Sequence, residues 1–167
     1  IENSSLDERV TFSENAIFGI ERDSSHIGIR VGEILSMEEC LYGMMLESAN
    51  EVCLAVAEHI SGSVDAFVGL MNQRAAQLGM EDTVFKNCNG LDEDGHVTSA
   101  YDVALMSRAL IAHEKIFDYS QVWMDSVRNG ETQLVNTNKL LKTYDGITGL
   151  KTGTTGKAGS CISATAE

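Results

Sequence analysis

The stretch GLKTGTTGKAG, residues 149 to 159, sets Lys151, Thr152 and Gly153 in a row inside the densest run of small and polar residues in the chain. Its flanks decide how it is read. GITGLKTGTT (146–155) and GSCISATA (159–166) both look like strands, joined by the small residues around Gly156. Glycine weakens a strand interior unless something must come close to the backbone. Gly153 therefore marks a point of close approach. A ligand lying along an edge strand would use that room, the Lys151 ammonium would attract its carboxylate, and the Thr152 hydroxyl would hydrogen-bond the same group.

Moving toward the N-terminus, QVWMDSV (121–127) and ETQLVNT (131–137) alternate around Asn129-Gly130, a hairpin signal. Before them the period changes to that of helices. Ser36 with Glu39 forms a capping box, and Met37, Leu41, Met44 and Met45 keep helical spacing up to about Glu47. ESAN (47–50) breaks this apolar stretch, and the period resumes through Val52, Ala55, Val56 and His59 to Gly62. Asn50 is placed to cap that second helix, leaving Ser48 on a loop wedged between two buried helices. A third helix is expected over residues 63–78 with Gly79 as its stop, then a polar loop, then a helix from Ala100 to Ala112 opened by a capping box of Ser99 and Asp102. EKIFDYS (114–120) adds a short helical turn. RVTFSENA (9–16) and GIERDSSHIGIRVGE (19–33) read as irregular extended pieces with small hairpins.

The totals limit the range of functions. A chain of 167 residues fits one domain or part of one. No run of eighteen apolar residues is present. The net charge of −13, with no basic patch, repels phosphate backbones and excludes nucleic acid as an expected partner. Cys40, Cys53, Cys88 and Cys161 have neither Cys-x-x-Cys nor Cys/His metal spacing, so buried free thiols and no metal are expected. Nothing points to an organic cofactor.

Ser48-Ala49-Asn50 is a weak signal alone, since Ser-x-Asn arises by chance in about every second chain of this size. Together with Lys151-Thr152-Gly153 it gains weight. The chain resembles the serine-type D-alanyl-D-alanine carboxypeptidases, the low-molecular-mass penicillin-binding proteins related in fold to class A β-lactamases. The likeness extends over MEECLYGMMLESANEVCLAVAEHISG (37–62), FVGLMNQRAAQLGMEDTVFKNCNGLDEDGHVTSAYDVALMSRALI (67–111) and GITGLKTGTTGKAGSCISATA (146–166), in the family's order. Of the family's signatures, Ser-x-Asn and Lys-Thr-Gly are present. Ser-x-x-Lys occurs nowhere in the 167 residues.

The resemblance implies an α+β fold of the β-lactamase/DD-peptidase type, present in part. Residues 1–167 would form a single partial catalytic domain, with a helical region over about 36–118 and a hairpin and sheet strands over 121–167. The chain is expected to begin just after the Ser-x-x-Lys helix and to end before the later strands and terminal helix. By carry-over, Ser48 relays a proton to the departing amine, and the Asn50 amide holds both the substrate's amide and the signature lysine. Lys151 and Thr152 bind the terminal carboxylate, and Lys151 also keeps the signature lysine unprotonated by charge repulsion. Gly153 gives room, and the Thr154 N–H supplies half of an oxyanion hole. The implied substrate is a peptidoglycan stem peptide ending in D-Ala-D-Ala, outside the cytoplasmic membrane, with β-lactam antibiotics as inhibitors. The chain by itself would be inactive for want of a nucleophile.

Two other readings compete. A class A β-lactamase would need Glu-x-x-x-Asn, which is absent, and prefers aspartate in the middle of Ser-x-Asn, where this chain has Ala49. A non-catalytic relative would bind stem peptides without cleaving them. A sheet lacking strands exposes an edge, so low stability, homodimerisation or strand exchange is expected.

Overall fold

A computed structural model describes residues 2–21 and 23–167. Strand β1 (Arg9–Thr11) pairs antiparallel with β2 (Ile34–Ser36), setting Val10 opposite Leu35, both buried. Between them lies a short helix α1 (Glu14–Phe18), where an extended segment was expected. Ser13 explains it: its hydroxyl accepts the Ala16 N–H at 3.0 Å, so Ser13 caps a helix and is not a turn residue. Residues 25–30 form no ladder, although Ile29 is buried; the alternation there faces a helix and not a partner strand. Arg22, within the stretch 19–33, and Ile1 lie outside the described residues.

Helix α2 (Met37–Glu47) opens with the expected capping box, Glu39 N–H to Ser36 Oγ at 3.1 Å and Ser36 N–H to Glu39 Oε2 at 2.9 Å. It is the spine of the molecule. Cys40 joins a core with Val10, Phe12, Val52 and Ala55; Leu41 packs with Ile116, Tyr119 and Leu150; Leu46 packs with Val127 and Leu134. Helix α3 (Asn50–Ser61) follows after two residues and buries Val52, Leu54, Ala55, Val56 and Ala57. Its cap differs from expectation. Ala49 occupies the N-cap with no side-chain bond, and Asn50 is already the first helical residue.

Helix α4 (Val64–Gln77), capped by Ser63, leaves α3 at an angle of 84°. No single helix among the described residues is long and apolar enough to cross a membrane. After a loop with a single bridge between Val84 and Val97 comes α5 (Ala100–Ile111). Ser99 caps it, accepting the Asp102 N–H at 3.2 Å, yet the reciprocal half of a capping box is missing. The Asp102 carboxylate is drawn instead to the loop, where it accepts the Asp82 N–H at 2.8 Å and the Thr83 hydroxyl at 2.7 Å. A 3₁₀ turn (Glu114–Ile116) then leads into α6 (Phe117–Ser120).

The hairpin of β3 (Met124–Val127) and β4 (Thr132–Val135) turns one residue earlier than Asn129-Gly130 would dictate. Arg128 and Asn129 both take positive φ, 59° and 54°, and the Gly130 N–H donates to the Val127 carbonyl at 3.2 Å. Tertiary partners hold Arg128 in that unfavourable region. Its N–H donates to Glu39 Oε1 at 3.0 Å and its guanidinium to Glu33 Oε1 at 2.6 Å. Burial acts against the Glu39 charge, but the Ser36 and Arg128 N–H groups hold its carboxyl below the ordinary range.

A short helix, α7 (Leu140–Thr143), stands where only strands were expected, ahead of β5 (Ile147–Thr155) and β6 (Gly159–Ala166). These last two form their own two-stranded ribbon, so the strands after 121 make two separate antiparallel pairs. β5 reaches the core through Leu150, and Gly149 lies against Ser120: a Cβ there would sit 2.6 Å from the Ser120 Cβ, at φ +133°. The four thiols are free, but not all are buried as expected. Cys40 is buried and Cys53 and Cys88 half-buried, but Cys161 is exposed, because β6 has no layer over that position.

Because Leu46 is fully buried between α2 and the hairpin, Leu46→Ala is expected to cost about 2–5 kcal/mol. Urea unfolding should show a lower midpoint at unchanged slope; a midpoint shift equivalent to less than about 1 kcal/mol would contradict this packing.

Candidate active site

The site begins where α2 stops. Ser48 is its C-cap and takes a left-handed conformation, φ 56° and ψ 39°, a region that costs a residue with a Cβ about 1–2 kcal/mol. The turn is stabilised by the Ala49 N–H, which donates to the Gly43 carbonyl at 3.2 Å. Ala49 is fully buried and fixes the two-residue step into α3. The sharp turn places the Ser48 side chain between the two helices and toward β5.

From β5, Lys151 reaches back across 103 positions of sequence and donates through Nζ to Ser48 Oγ. The same ammonium donates to the Thr152 carbonyl at 2.9 Å. No carboxylate pairs with Lys151 among the described residues. Burial therefore acts on it with little compensation and lowers its pKa, with only a weak opposing influence from Cys53, whose own burial pushes that thiol up to about 12. A half-buried cation with no counter-ion is suited to receive an anion. With one Oγ lone pair engaged by the ammonium, the Ser48 hydroxyl keeps its own proton free to donate elsewhere.

Further along β5, the Thr152 hydroxyl meets the Thr137 hydroxyl at 2.6 Å, at the exposed side of the ribbon. Gly153 pairs with Cys161, and no atom lies within 4 Å of the place its Cβ would occupy. The molecule's own packing thus does not demand glycine; the free space lies on the outside. Thr154 is exposed. The turn that ends β5 is tied down by an acidic loop: the Lys157 N–H donates to Asp92 Oδ2 at 2.8 Å and Lys157 Nζ to Asp94 Oδ1 at 2.7 Å. Hydrogen bonds from the Thr155 hydroxyl, foremost, and from the Lys157 N–H hold Asp92 below the ordinary carboxyl range.

The structure thus brings Ser48 and Lys151 into contact and sets Thr152, Gly153 and Thr154 next to them on one strand. Asn50 is different. It is almost fully buried, and its Nδ2 donates to the Ser25 carbonyl at 3.1 Å; among the described residues no hydrogen bond joins it to Ser48 or Lys151. Sequence reasoning missed Thr137 and Asp92. Thr137 follows β4 in a segment with no motif, and Asp92 sits in an acidic loop whose charges look like ordinary solvated surface.

The D-alanyl-D-alanine carboxypeptidase model of peptidase family S11 matches residues 2–167. D-alanyl-D-alanine carboxypeptidase DacF of Bacillus subtilis (strain 168) is 40% identical over 165 residues, covering 97% of this chain and 42% of that protein. DacC of Escherichia coli (strain K12) is 34% identical over 146 residues, 87% of this chain and 36% of that protein. The chain therefore spans about two fifths of the length of these curated relatives. Among solved structures, penicillin binding protein 6B from Escherichia coli superposes with a TM-score of 0.89 at 33% identity, over 99% of this chain and 53% of that one. The Streptomyces K15 DD-transpeptidase superposes at 0.91 over 100% of this chain and 70% of that one, a likeness of fold at 24% identity. With a family model over all but one of its residues and a 40% identical relative along nearly its whole length, this chain belongs to the peptidase S11 family of D-alanyl-D-alanine carboxypeptidases.

Proposed function

We propose that this chain supplies the Ser48–Asn50 and Lys151–Thr154 portions of a serine-type D-alanyl-D-alanine carboxypeptidase site. The substrate is a peptidoglycan stem peptide ending in D-Ala-D-Ala, met outside the cytoplasmic membrane, and β-lactams bind as inhibitors. The single observation that supports this most is the donation from Lys151 Nζ to Ser48 Oγ, which joins the two motifs. In this reading Lys151 and the Thr152 hydroxyl take the substrate's carboxylate, and Ser48 passes a proton to the leaving D-alanine amine. Asn50 orients the scissile amide, Gly153 leaves room for the peptide along β5, and the Thr154 N–H stabilises the oxyanion. The nucleophile belongs to a Ser-x-x-Lys, which the 167 residues do not contain. No metal or organic cofactor takes part, and the acidity of the chain disfavours nucleic acid. Among the described residues β6 pairs only with β5, and its sequence GSCISATA carries no charge or proline to protect the outer edge. A second copy pairs along that edge.

Three measurements follow. Intact-protein mass after incubation with excess penicillin should be unchanged for the 167-residue chain, and should rise by one penicillin when a Ser-x-x-Lys segment precedes it in the same polypeptide. An adduct mapped to Ser48 in the shorter chain would make that serine the nucleophile and overturn its role as proton relay.

Lys151 gives a pH dependence of definite sign. Its folded pKa lies below the ordinary 10.5, so between the two values the unfolded chain binds a proton that the folded chain does not, and stability rises with pH through that window. Relative to Lys151→Met, the wild-type chain should gain stability in urea unfolding as pH approaches 10.5; parallel profiles for the two proteins would refute a desolvated lysine.

Light scattering after size-exclusion chromatography should give a dimer whose population rises with concentration, and an Ile162→Lys change on β6 should shift it to monomer. A monomer at all concentrations would remove the edge-pairing proposal.

A further inference from the structure

We infer that Glu51 is a positioning residue for Asn50, acting through the segment Ser25–Ile27; this rests on the reading that Asn50 belongs to the site. Asn50 and Glu51 open α3, and both side chains turn toward the same piece of chain. The Asn50 backbone N–H and its Nδ2 both donate to the Ser25 carbonyl, at 2.9 and 3.1 Å. Two residues further on, the Ile27 N–H donates to Glu51 Oε1 at 2.7 Å. Segment 25–27 belongs to no helix or strand, so these three hydrogen bonds supply the order that a sheet ladder would otherwise give. Fixing Ile27 fixes the Ser25 carbonyl, and that carbonyl sets the plane of the Asn50 amide. One N–H of the Asn50 amide is thereby spent, while the second N–H and Oδ1 take no partner among the described residues and remain for a ligand.

Stability does not explain Glu51. The side chain is 2% exposed, and its second oxygen, Oε2, is buried with no hydrogen-bond partner. A carboxyl group enclosed with one oxygen unsatisfied costs more than an apolar residue of similar size. A costly group placed beside the proposed site is what a geometric role predicts. The neighbouring chemistry agrees: the amide of Asn50 is a planar group whose usefulness depends on which way its oxygen points, and a fixed carbonyl on one N–H removes the ambiguity.

The first measurement needs no substitution. In the isotopically labelled chain, a scalar coupling through the hydrogen bond should connect the Ile27 amide nitrogen to the Glu51 side-chain carboxyl carbon, and its absence would overturn the clamp. The second reads Asn50 itself. Exchange of its side-chain amide protons should be about five- to tenfold faster in Glu51→Ala than in the wild-type chain, with backbone protection in α2 and α4 unchanged. Glu51→Gln, which keeps an acceptor at the same reach, should restore slow exchange. Equal Asn50 exchange in wild-type and Glu51→Ala chains would refute the role. If Glu51→Ala does not fold, Glu51→Asp, one methylene short of Ile27, gives the same comparison. Failure of penicillin to acylate the extended chain would instead sink the proposed function and leave this hydrogen-bond relation standing.

Discussion

Burial of α2 on three sides is the constraint from which the rest of the structure follows. One helix surface meets β1, β2 and α3 through Cys40, a second meets α6 and β5 through Leu41, and a third meets the β3–β4 hairpin through Leu46. A helix enclosed in this way cannot rotate or slide without opening all three contacts at once, because interiors at crystal-like density leave no slack. Its two ends inherit that rigidity. At the start, the capping-box residue Glu39 also holds the Arg128 N–H and so fixes the hairpin turn. At the finish, Ser48 is forced into a left-handed turn and its hydroxyl is delivered to a definite place.

The opposite wall of the site depends on a different balance. β5 is anchored at its beginning by Leu150 in the core and by the Ser120 hydroxyl, which donates to the Thr148 carbonyl at 2.7 Å, and at its end by Asp92 and Asp94. Between these anchors the strand passes from half-buried at Lys151 and Thr152 to exposed at Gly153. Lys151 carries an energetically unfavourable feature, a charge withdrawn from water with neutral acceptors, the Ser48 hydroxyl and the Thr152 carbonyl, around it. A carboxylate beside Lys151, as in the proposed function, would relieve that penalty even in a chain whose overall charge is −13.

Local signals were legible where a residue's role was settled by its immediate neighbours. The capping box at Ser36 and the cap at Ser99 satisfy backbone groups three positions away, and the strands around Lys151 show in the composition of two short neighbouring runs, so the local pattern reveals them. Readings failed where a distant partner outbid the local one. Asp102 gives its carboxylate to Asp82 and Thr83 in place of its own helix end, Asn50 turns to Ser25 in place of capping α3, and the hairpin turns at Arg128 because Glu33 and Glu39 hold it there. The short helix α1 was hidden for a related reason: Ser13 and Asn15 are held by Glu58, 45 and 43 positions away.

By itself the sequence determined the longer helices and the strands of the two C-terminal ribbons, the net acidity, the presence of Ser-x-Asn and Lys-Thr-Gly, and the resemblance they carry. The tertiary structure alone decided that Lys151 touches Ser48, that Thr137 joins Thr152, and that Glu51 and Asn50 share a clamp on residues 25–27. The physical reason is range. Periodicity, capping and turn chemistry act over a few residues and leave a mark in their spacing, whereas a contact across 103 positions exists only after the burial of α2 has brought two remote segments to the same place.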